Sequence, residues 1–183
     1  MLNSTQNHII IIVMQASGGI DCEKEEQVMM ELWNLFNKRM WLDGFKLKAR
    51  LKGYNPSEVH CIEYIGGNED SNVTLLAESF YMTRSAISKL TKKLIQKGLI
   101  ESYRKPDNKK EIYFRLTEQG NDIYKIHGEL HKEYQERDKA LFDQITEEQY
   151  NSMLSFTEKY NKHLDAEIKK LGVDITSGWC DKL

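Results

Sequence analysis

A chain of 183 residues with 40% hydrophobic residues and two prolines is long enough for one domain, or for one domain with an oligomerisation element. Its formal net charge of −2 excludes a protein that binds nucleic acid through a high overall positive charge. Three widely spaced cysteines without a CxxC pair exclude a disulfide framework and indicate a reducing compartment. The apolar run at residues 9–14 is too short to cross a bilayer and lacks the basic start of a signal peptide. We therefore expect a cytoplasmic protein that is not inserted in a membrane.

The first predicted element is a long helix. Residues 1–22 show no clear period, and we interpret them as an N-terminal appendage. From residue 23 to about residue 51 the pattern is helical, with two adjacent apolar stripes. Because so wide an apolar surface needs cover on two sides, we interpret residues 23–54 as a dimerisation helix that a second subunit covers in part. The stripes contain Val28, Leu32 and Leu35, and Met29, Trp33, Phe36 and Met40.

Residues 55–118 begin with a helix that has a capping signature. Asn55 is an N-cap residue, a proline follows at the first helical position, and Glu58 stands where a capping box needs it. This helix ends at the glycine pair 66–67. A short helix at residues 74–80 and a two-residue turn follow. Thr83 then caps a second helix, which runs from residue 84 to about residue 97 and stops at Gly98.

The helix after Thr83 has one apolar face and one cationic face. The apolar arc contains Ala86, Ile87, Leu90 and Leu94. The opposite arc has no carboxylate and contains Ser85, Ser88, Lys89, Lys92 and Gln96, flanked by Arg84 and Lys93. Solvated helix faces usually mix both signs of charge, because such pairs stabilise them. A face of cations and small hydroxyls is instead typical of a helix that enters the DNA major groove.

Residues 99–116 predict a basic β-hairpin. Residues 99–105 can form a strand, residues 106–109 have strong turn chemistry, and residues 111–116 alternate. The alternation places Ile112, Phe114 and Leu116 on one face and Tyr113 and Arg115 on the other. Residues 83–115 hold ten Lys or Arg against three acids, a local balance of +7, so the remainder sums to −9. A basic patch on an acidic body is the pattern expected for contact with phosphates.

Two further helices complete the pattern. Thr117 caps a helix that reaches about residue 142, and residues 146–149 form a capping box for the last helix. The spacing in the last helix is close to that of a coiled-coil seam, although a core helix of the same subunit is the alternative. We interpret residues 119–172 as C-terminal dimerisation helices and residues 173–183 as a tail. The seam contains Tyr150, Met153, Thr157, Tyr160, Leu164, Ile168 and Leu171.

The order of these elements and three motifs resemble the MarR family of bacterial transcriptional regulators. The motifs are MTRSAISKL at residues 82–90, LIQKGLI at residues 94–100 and LTEQG at residues 116–120. The resemblance covers about residues 57–125, and the flanking helices match by arrangement. It implies a mainly α fold with a small β-hairpin wing, in which a winged helix-turn-helix lies between long N- and C-terminal dimerisation helices.

The same resemblance implies a homodimer that binds a pseudo-palindromic operator in double-stranded DNA, commonly as a repressor. By position, the DNA contacts fall on Thr83, Arg84, Ser85, Ser88, Lys89 and Lys92 of the helix and on Lys105, Asn108, Lys109 and Lys110 of the wing. The dimer contacts fall on Val28, Leu32, Trp33, Phe36, Met153, Tyr160, Leu164 and Ile168. The tip of the wing carries lysines where the family usually has arginine. Because arginine is the better reader of the minor groove, we expect this wing to contribute phosphate affinity more than sequence selection.

The pattern requires no cofactor, but it leaves open which effector would modulate DNA affinity. His127 and His131 share a helix face and fall where zinc-sensing members of the family carry two histidines, so they are candidates for a zinc site. His60 stands one residue out of register for a further ligand. A small-molecule ligand in a cleft between the DNA-binding lobe and the dimer helices is the other alternative. Redox sensing is disfavoured, because Cys61 is expected on a packed helix, where a thiol is inert.

Two other classes of protein fit the sequence less well. The segment HGELH at residues 127–131 is similar to the helix of a zinc hydrolase, but that mechanism needs glutamate directly after the first histidine, where Gly128 stands. The chain has no phosphate-binding loop and no nucleophile elbow, so we expect no enzymatic activity. A winged helix used for protein contacts would not need an acid-free recognition face or a lysine-tipped wing.

Overall fold

The computed structural model describes residues 24–170. Within them the chain is mainly helical and has one two-stranded antiparallel sheet, which confirms the predicted mainly α fold with a β-hairpin wing. The appendage predicted at residues 1–22 and the tail predicted at residues 173–183 lie outside the described residues. In chain order the elements are α1 (Lys24–Arg50), α2 (Pro56–Gly67), α3 (Val73–Phe80), α4 (Arg84–Gln96), β1 (Ile100–Tyr103), β2 (Tyr113–Leu116), α5 (Glu118–Phe142) and α6 (Glu147–Lys170).

The chain divides into two compact units, residues 1–45 and residues 46–183. The described part of the first unit is residues 24–45 of α1. Within it, Arg39 Nε lies 3.4 Å from Asp43 Oδ2, and the rings of Trp41 and Phe45 stack with their centres 6.0 Å apart. Most of the large apolar side chains of this stretch are exposed, namely Val28, Met29, Leu35, Phe36, Met40, Trp41, Leu42 and Phe45.

The second unit is built around α2, which packs against α5 and β2. Helix α3 packs against α4, and α4 packs against β1, so the helix-turn-helix and the hairpin share one core. Burial of a large aliphatic side chain stabilises a fold by roughly 1.5–3 kcal/mol. Because α2 and α4 both contribute such side chains to this core, the core holds α4 in position relative to α2. Side chains with no exposed surface at its centre include Val59, Ile62, Leu76, Ile87, Leu94 and Leu130.

Helices α2, α5 and α6 begin at the predicted N-cap residues. Asn55 Oδ1 accepts a hydrogen bond from the backbone N–H of Glu58 at 2.9 Å, and the Glu58 side chain accepts one from the N–H of Asn55 at 3.0 Å. Thr117 Oγ1 accepts a hydrogen bond from the first turn of α5 at 3.1 Å. Thr146 and Gln149 form a reciprocal pair before α6, at 2.9 and 3.3 Å. The predicted capping boxes at residues 55–58 and 146–149 are therefore confirmed.

Gly120 allows the start of α5 to lie against the chain that leaves α4. A Cβ atom at this position would lie 2.0 Å from the carbonyl oxygen of Leu99. The same oxygen accepts hydrogen bonds from the N–H and the hydroxyl of Thr117, both at 3.1 Å. The LTEQG motif therefore contains a glycine because the backbone of α5 and the entry to β1 are in close contact.

Strands β1 and β2 pair in antiparallel register along their full lengths, so the hairpin is confirmed. The predicted alternation within it is wrong in part. Ile112 precedes β2 and is 44% exposed, whereas Tyr113, which the pattern placed on the outer face, is 7% exposed. The reason is that Tyr113 forms a bridge to Asn72 and its ring centre lies 5.6 Å from that of Tyr103. Residues before α3 therefore cover the face that the alternation assigned to solvent.

Helix α6 has no buried side chain. Its polar residues are interspersed with apolar ones. Among the described helices, none is both long and apolar enough to cross a membrane. Within residues 24–170 no segment buries the apolar side chains of the last helix, which is therefore amphipathic with an exposed apolar side. The exposed apolar residues are Met153, Leu154, Phe156 and Leu164.

Candidate nucleic-acid interface

Helix α4 is fixed by a cap at its start and by its apolar face. Thr83 Oγ1 accepts a hydrogen bond from the N–H of Ala86 at 3.0 Å and lies 2.9 Å from Ser85 Oγ. Thr83 is itself buried, with 4% of its surface exposed. On the apolar face, Ile87 and Leu94 have no exposed surface. These contacts fix the rotation of α4 about its axis, so the face opposite its apolar face is directed to solvent.

The solvent face of α4 carries cations without carboxylate neighbours. Arg84, Ser85, Lys89 and Lys92 are exposed and Ser88 is half-buried. Among residues 24–170, no carboxylate pairs with Arg84, Lys89 or Lys92. Unpaired ammonium and guanidinium groups keep their full charge for phosphates and base acceptors, and a serine hydroxyl can approach a base edge closely.

Lys93 of α4 and Lys97, which follows α4 directly, are paired with a buried carboxylate of α2. Glu58 is 1% exposed, and its Oε1 lies 3.0 Å from Lys93 Nζ and 2.9 Å from Lys97 Nζ. Oε1 meets both ammonium groups without a well-directed hydrogen bond to either. Lys97 Nζ donates to Glu58 Oε2 at 3.0 Å and to the carbonyl of Gly53 at 3.3 Å, and it lies 4.9 Å from the centre of the Tyr54 ring. The end of α4 is therefore attached to the start of α2 through charge.

The balance of forces on Glu58 keeps it ionised. Burial by itself raises the pKa of its carboxyl group, because the charged form loses hydration. The hydrogen bonds from Lys97 and from the backbone N–H of Asn55, together with the nearby ammonium group of Lys93, outweigh burial and hold the pKa below its ordinary value. A buried carboxylate without such partners would be neutral or strongly destabilising, so Glu58 and the two lysines act as one group.

Lys105 lies at the root of the wing and is paired with Asp70 of the loop between α2 and α3. Its Nζ lies 2.5 Å from Asp70 Oδ2 and 5.0 Å from the centre of the Tyr113 ring. The Tyr103 hydroxyl donates to Asp70 Oδ1 at 3.1 Å. The hydrogen bond from Lys105 lowers the pKa of Asp70, and the hydrogen bond to Asp70 raises the pKa of Lys105. Lys105 thus connects the wing to the protein body.

Asn108 organises the tip of the wing. Its Oδ1 accepts hydrogen bonds from the N–H groups of Lys110 and Glu111 at 3.2 and 3.3 Å. Its Nδ2 donates to Glu111 Oε2 and to the Tyr113 hydroxyl, both at 3.2 Å. An asparagine that bonds to the backbone two or three residues ahead is typical of a tight turn. The side chains of Lys109 and Lys110 are exposed on this turn.

A second polar group lies between α2 and α5. One carboxylate oxygen of Glu63 lies 3.5 Å from His127 Nδ1, and the other lies 3.1 Å from His131 Nε2. The three side chains offer ligand atoms that all lie within 4.8 Å of one another. The ring centre of His60 lies 5.6 Å from that of His127. The group opens into a cleft of about 860 Å³, whose aromatic lining residues are Tyr64, Phe80 and Tyr124.

The protonation of His127 suits a metal ligand. Burial lowers its pKa; the carboxylate of Glu63 acts in the opposite direction, and the neighbouring His131 and His60 act with burial. A neutral imidazole and a carboxylate are the forms that bind a divalent metal. Glu63, His127 and His131 are therefore a candidate group for holding a metal ion.

Comparisons with known proteins identify the family of this chain. A family model, described as MarR family, matches residues 54–112. The HTH-type transcriptional regulator PchR of Bacillus subtilis (strain 168) is 34% identical over 113 residues, which are 62% of this chain and 67% of that protein. This chain belongs to the MarR family. It is a DNA-binding transcriptional regulator rather than an enzyme.

Solved structures of other regulators share the fold of this MarR-family chain. FabT of Streptococcus pneumoniae, solved in complex with DNA, has a TM-score of 0.68 and 22% identity over 78% of this chain and 99% of that chain. ZitR of Lactococcus lactis, a zinc-responsive MarR family member, has a TM-score of 0.53 and 20% identity over 75% of this chain and 99% of that chain. At such identities the likeness shows the winged-helix fold alone.

The residues predicted to contact DNA in this MarR-family regulator fall into two groups. Arg84, Ser85, Lys89 and Lys92 share the open face of α4, whereas Thr83, Lys105 and Asn108 form contacts within the protein. His127 and His131 do come together. Sequence reasoning missed three carboxylates, Glu58 as a partner of lysines, Glu63 and Asp70. For Glu63 a signal existed, because it stands three residues after His60 and so shares a helix face with it.

Proposed function

We propose that this chain is a repressor that binds a pseudo-palindromic operator as a homodimer and reads it with the open face of α4. The observation that carries the proposal is that Arg84, Lys89 and Lys92 are exposed and, within residues 24–170, have no carboxylate partner. These cations would contact phosphates and base acceptors in the major groove, with Ser85 and Ser88 near base edges.

The wing would extend the contact to the phosphates beside the major groove. Lys109 and Lys110 are exposed at its tip and supply the charge for these contacts. We assign Lys105 and Asn108 the role of holding the wing in position, since both side chains bond to residues of the protein itself. Thr83 has the same kind of role at the start of α4, because it caps the helix.

A second copy of the chain would cover the exposed apolar residues. Four of the residues proposed as dimer contacts, Val28, Phe36, Met153 and Leu164, are between 40% and 59% exposed in one chain. Exposed apolar patches of this kind mark protein interfaces. In this proposal residues 23–54 and 119–172 form the dimer and residues 55–118 bind DNA. A two-fold dimer presents two recognition helices, so its operator has two related half-sites.

Binding to the DNA upstream of the regulator's own gene tests the proposal. We expect operator affinity to fall with rising salt, with a slope that decreases by about 0.9 for each phosphate contact removed. Lys89→Ala and Lys92→Ala should each weaken binding and reduce the slope, measured by fluorescence anisotropy of a labelled duplex. Lys159→Ala, which removes an exposed lysine of α6, is the matched control. Affinity that does not depend on salt, or equal binding by all variants, would contradict DNA reading by α4.

Repression is a separate part of the proposal with its own test. A dimer bound to an operator that overlaps a promoter excludes the polymerase from it. We therefore expect a reporter fused to the same upstream DNA to be expressed more strongly when Lys92→Ala replaces the wild type. Lower expression with the variant would show activation instead.

A zinc-responsive regulator is the second candidate, and the group of Glu63, His127 and His131 favours it. These side chains connect α2 to α5, and Tyr64, next to Glu63 in the chain, lies 5.8 Å from Phe80 between ring centres. Phe80 is the last residue of α3, directly before the turn that leads to α4. A metal that draws α2 and α5 together would therefore act next to the helix-turn-helix.

Zinc titration of operator binding tests this candidate. We expect zinc to change the operator affinity of the wild type relative to a chelator, and His127→Ala to remove the change. His163→Ala, an exposed histidine of α6, is the matched control. Equal operator affinity of the wild type with zinc and with chelator would eliminate the zinc response. An aromatic small molecule in the same cleft would then be the remaining effector class.

A further inference from the structure

The lysines of α4 and of its C-cap fall into two groups that differ in what surrounds them. Lys89 and Lys92 are exposed without a described carboxylate partner, whereas the side chains of Lys93 and Lys97, 51% and 31% exposed, reach Glu58 at 3.0 and 2.9 Å. At about 100° per residue, Lys93 lies only about 40° around the helix axis from Lys89. Position on the helix alone would therefore place Lys93 at the edge of the DNA-reading face. The carboxylate on α2 is what separates the two groups.

The contacts of Glu58 stabilise the negative charge of its buried carboxylate. It is 1% exposed, its backbone N–H and its Oε2 atom take part in the Asn55 capping box, and its Oε1 atom lies between two ammonium groups. Capping needs a single acceptor atom at this position and can be performed by glutamine as well as by glutamate. The cap therefore does not explain why the side chain is charged and shared with two lysines of another helix.

We propose that Glu58 is a specificity-determining residue, which pairs with Lys93 and Lys97 and so keeps two cations of the recognition helix away from DNA phosphates. The inference rests on the proposed operator binding by α4. Contacts between lysine and phosphate strengthen binding to any DNA, and they carry no sequence information. Two additional free lysines on α4 would strengthen binding to non-operator DNA, which is held by phosphate contacts alone, more than binding to the operator, in which base contacts fix the position of the helix. They would thus lower the ratio between the two affinities.

The alternative is that Glu58 only stabilises the fold. The two roles give different results for Glu58→Gln, which keeps the shape and the capping acceptor but removes the charge. A residue that only stabilises the fold would weaken binding to all DNA and leave the salt slope unchanged. A residue that withholds lysines would, when neutralised, release them to phosphates and make the slope steeper.

The experiment measures binding of the full chain to an operator duplex and to a scrambled duplex of the same length and composition, over a series of salt concentrations. For Glu58→Gln we expect the slope to steepen by about 0.9 for each added phosphate contact. A slope of about 0.9 changes the affinity about eightfold between 1 M and 0.1 M salt. Affinity for the scrambled duplex at 0.1 M salt should therefore rise by up to about eightfold for each added contact. The operator-to-scrambled ratio should fall.

Two single variants make the test independent of how Glu58→Gln folds. Lys93→Gln in the otherwise wild-type chain should leave the slope unchanged, because Lys93 does not reach a phosphate, whereas Lys89→Gln should reduce it by about 0.9 per contact. In the double variant Glu58→Gln with Lys93→Gln, part of the steepening should disappear. Circular dichroism confirms that each variant is folded.

The outcomes separate the inference from the proposed function. If the wild type binds operator and scrambled duplex equally, operator binding by α4 is wrong. If the wild type prefers the operator but Glu58→Gln has the wild-type slope, or Lys93→Gln loses slope as Lys89→Gln does, then Glu58 does not withhold lysines from DNA.

Discussion

Two glycines of α5 give opposite predictions for the same substitution. A Cβ atom at Gly128 would have nothing within 4 Å, so Gly128→Ala adds only the helical preference of alanine. We expect it to stabilise the fold by roughly 0.5–1 kcal/mol. At Gly120 the added Cβ atom would lie 2.0 Å from the carbonyl oxygen of Leu99 and must move away by about 1.4 Å to reach ordinary contact at 3.4 Å.

The obstacle at Gly120 is backbone, which cannot rotate away as a flexible side chain can. Relief requires a shift of α5 against the entry to β1, which would strain the hydrogen bonds of Thr117 to the Leu99 carbonyl. Forced overpacking costs roughly 1–3 kcal/mol, and the helical preference of alanine offsets only part of this. Because Leu99 follows α4 directly, Gly120→Ala should also weaken operator binding while Gly128→Ala leaves the α4 side of the protein unchanged.

Thermal and urea unfolding at one protein concentration measure the difference. For a chain of this length 1 kcal/mol corresponds to roughly 2–4 °C in Tm, so the two variants should move Tm in opposite directions by a few degrees each. Protein concentration must be held constant, because a dimer's Tm depends on it. If Gly120→Ala unfolds at or above the temperature of the wild type, the close approach of α5 to Leu99 is not a feature of the protein in solution.

Three other substitutions test contacts that support the reading face. The pKa of Glu58 is lower in the folded protein than in the unfolded chain. Its contribution to stability is therefore fully present above the ordinary pKa near 4.3 and is lost as pH falls through the pKa of the folded protein. The free energy of unfolding, measured in urea from pH 6 to pH 3, should fall more steeply for the wild type than for Glu58→Gln. Thr83→Val removes the cap of α4 and should cost about 1 kcal/mol in urea unfolding; an unchanged midpoint would mean that the cap is dispensable. Asp70→Asn removes the charge partner of Lys105, so trypsin should cleave the wing tip near Lys109 and Lys110 faster than in the wild type, and equal cleavage rates would argue against Lys105 as the wing's anchor.

The starts of the helices could be predicted from the sequence because they depend on residues three or four positions apart. The pair Asn55 and Glu58 forms its capping box through hydrogen bonds of 2.9 and 3.0 Å within one turn. Thr83 and Thr117 act in the same way for α4 and α5. The position of the hairpin followed from turn chemistry at residues 106–109. These features need no knowledge of the rest of the fold.

The features that were missed depend on contacts between distant segments. Alternation assigned Tyr113 to solvent, but the loop before α3 covers it through the bridge to Asn72. The spacing of Glu63 from His60 was a local signal, but it could not indicate His127 and His131, because these come from a helix more than sixty residues later. Periodicity describes the two faces of one element and is silent about which other element lies against each face.

The cationic face of α4 shows how both kinds of information combine. The local balance of +7 over residues 83–115 predicted a basic surface, but a sum of charges treats each lysine alike. In the fold, Lys93 and Lys97 share the single carboxylate of Glu58 and Lys105 pairs with Asp70, while Lys89 and Lys92 are not paired with a described carboxylate. Since affinity for phosphates follows from the free cations and not from the sum, the recognition helix would have fewer charges for DNA than its sequence implies. A regulator that must prefer one site over many others benefits from this, because each withheld lysine weakens binding to other DNA more than it weakens binding to the operator.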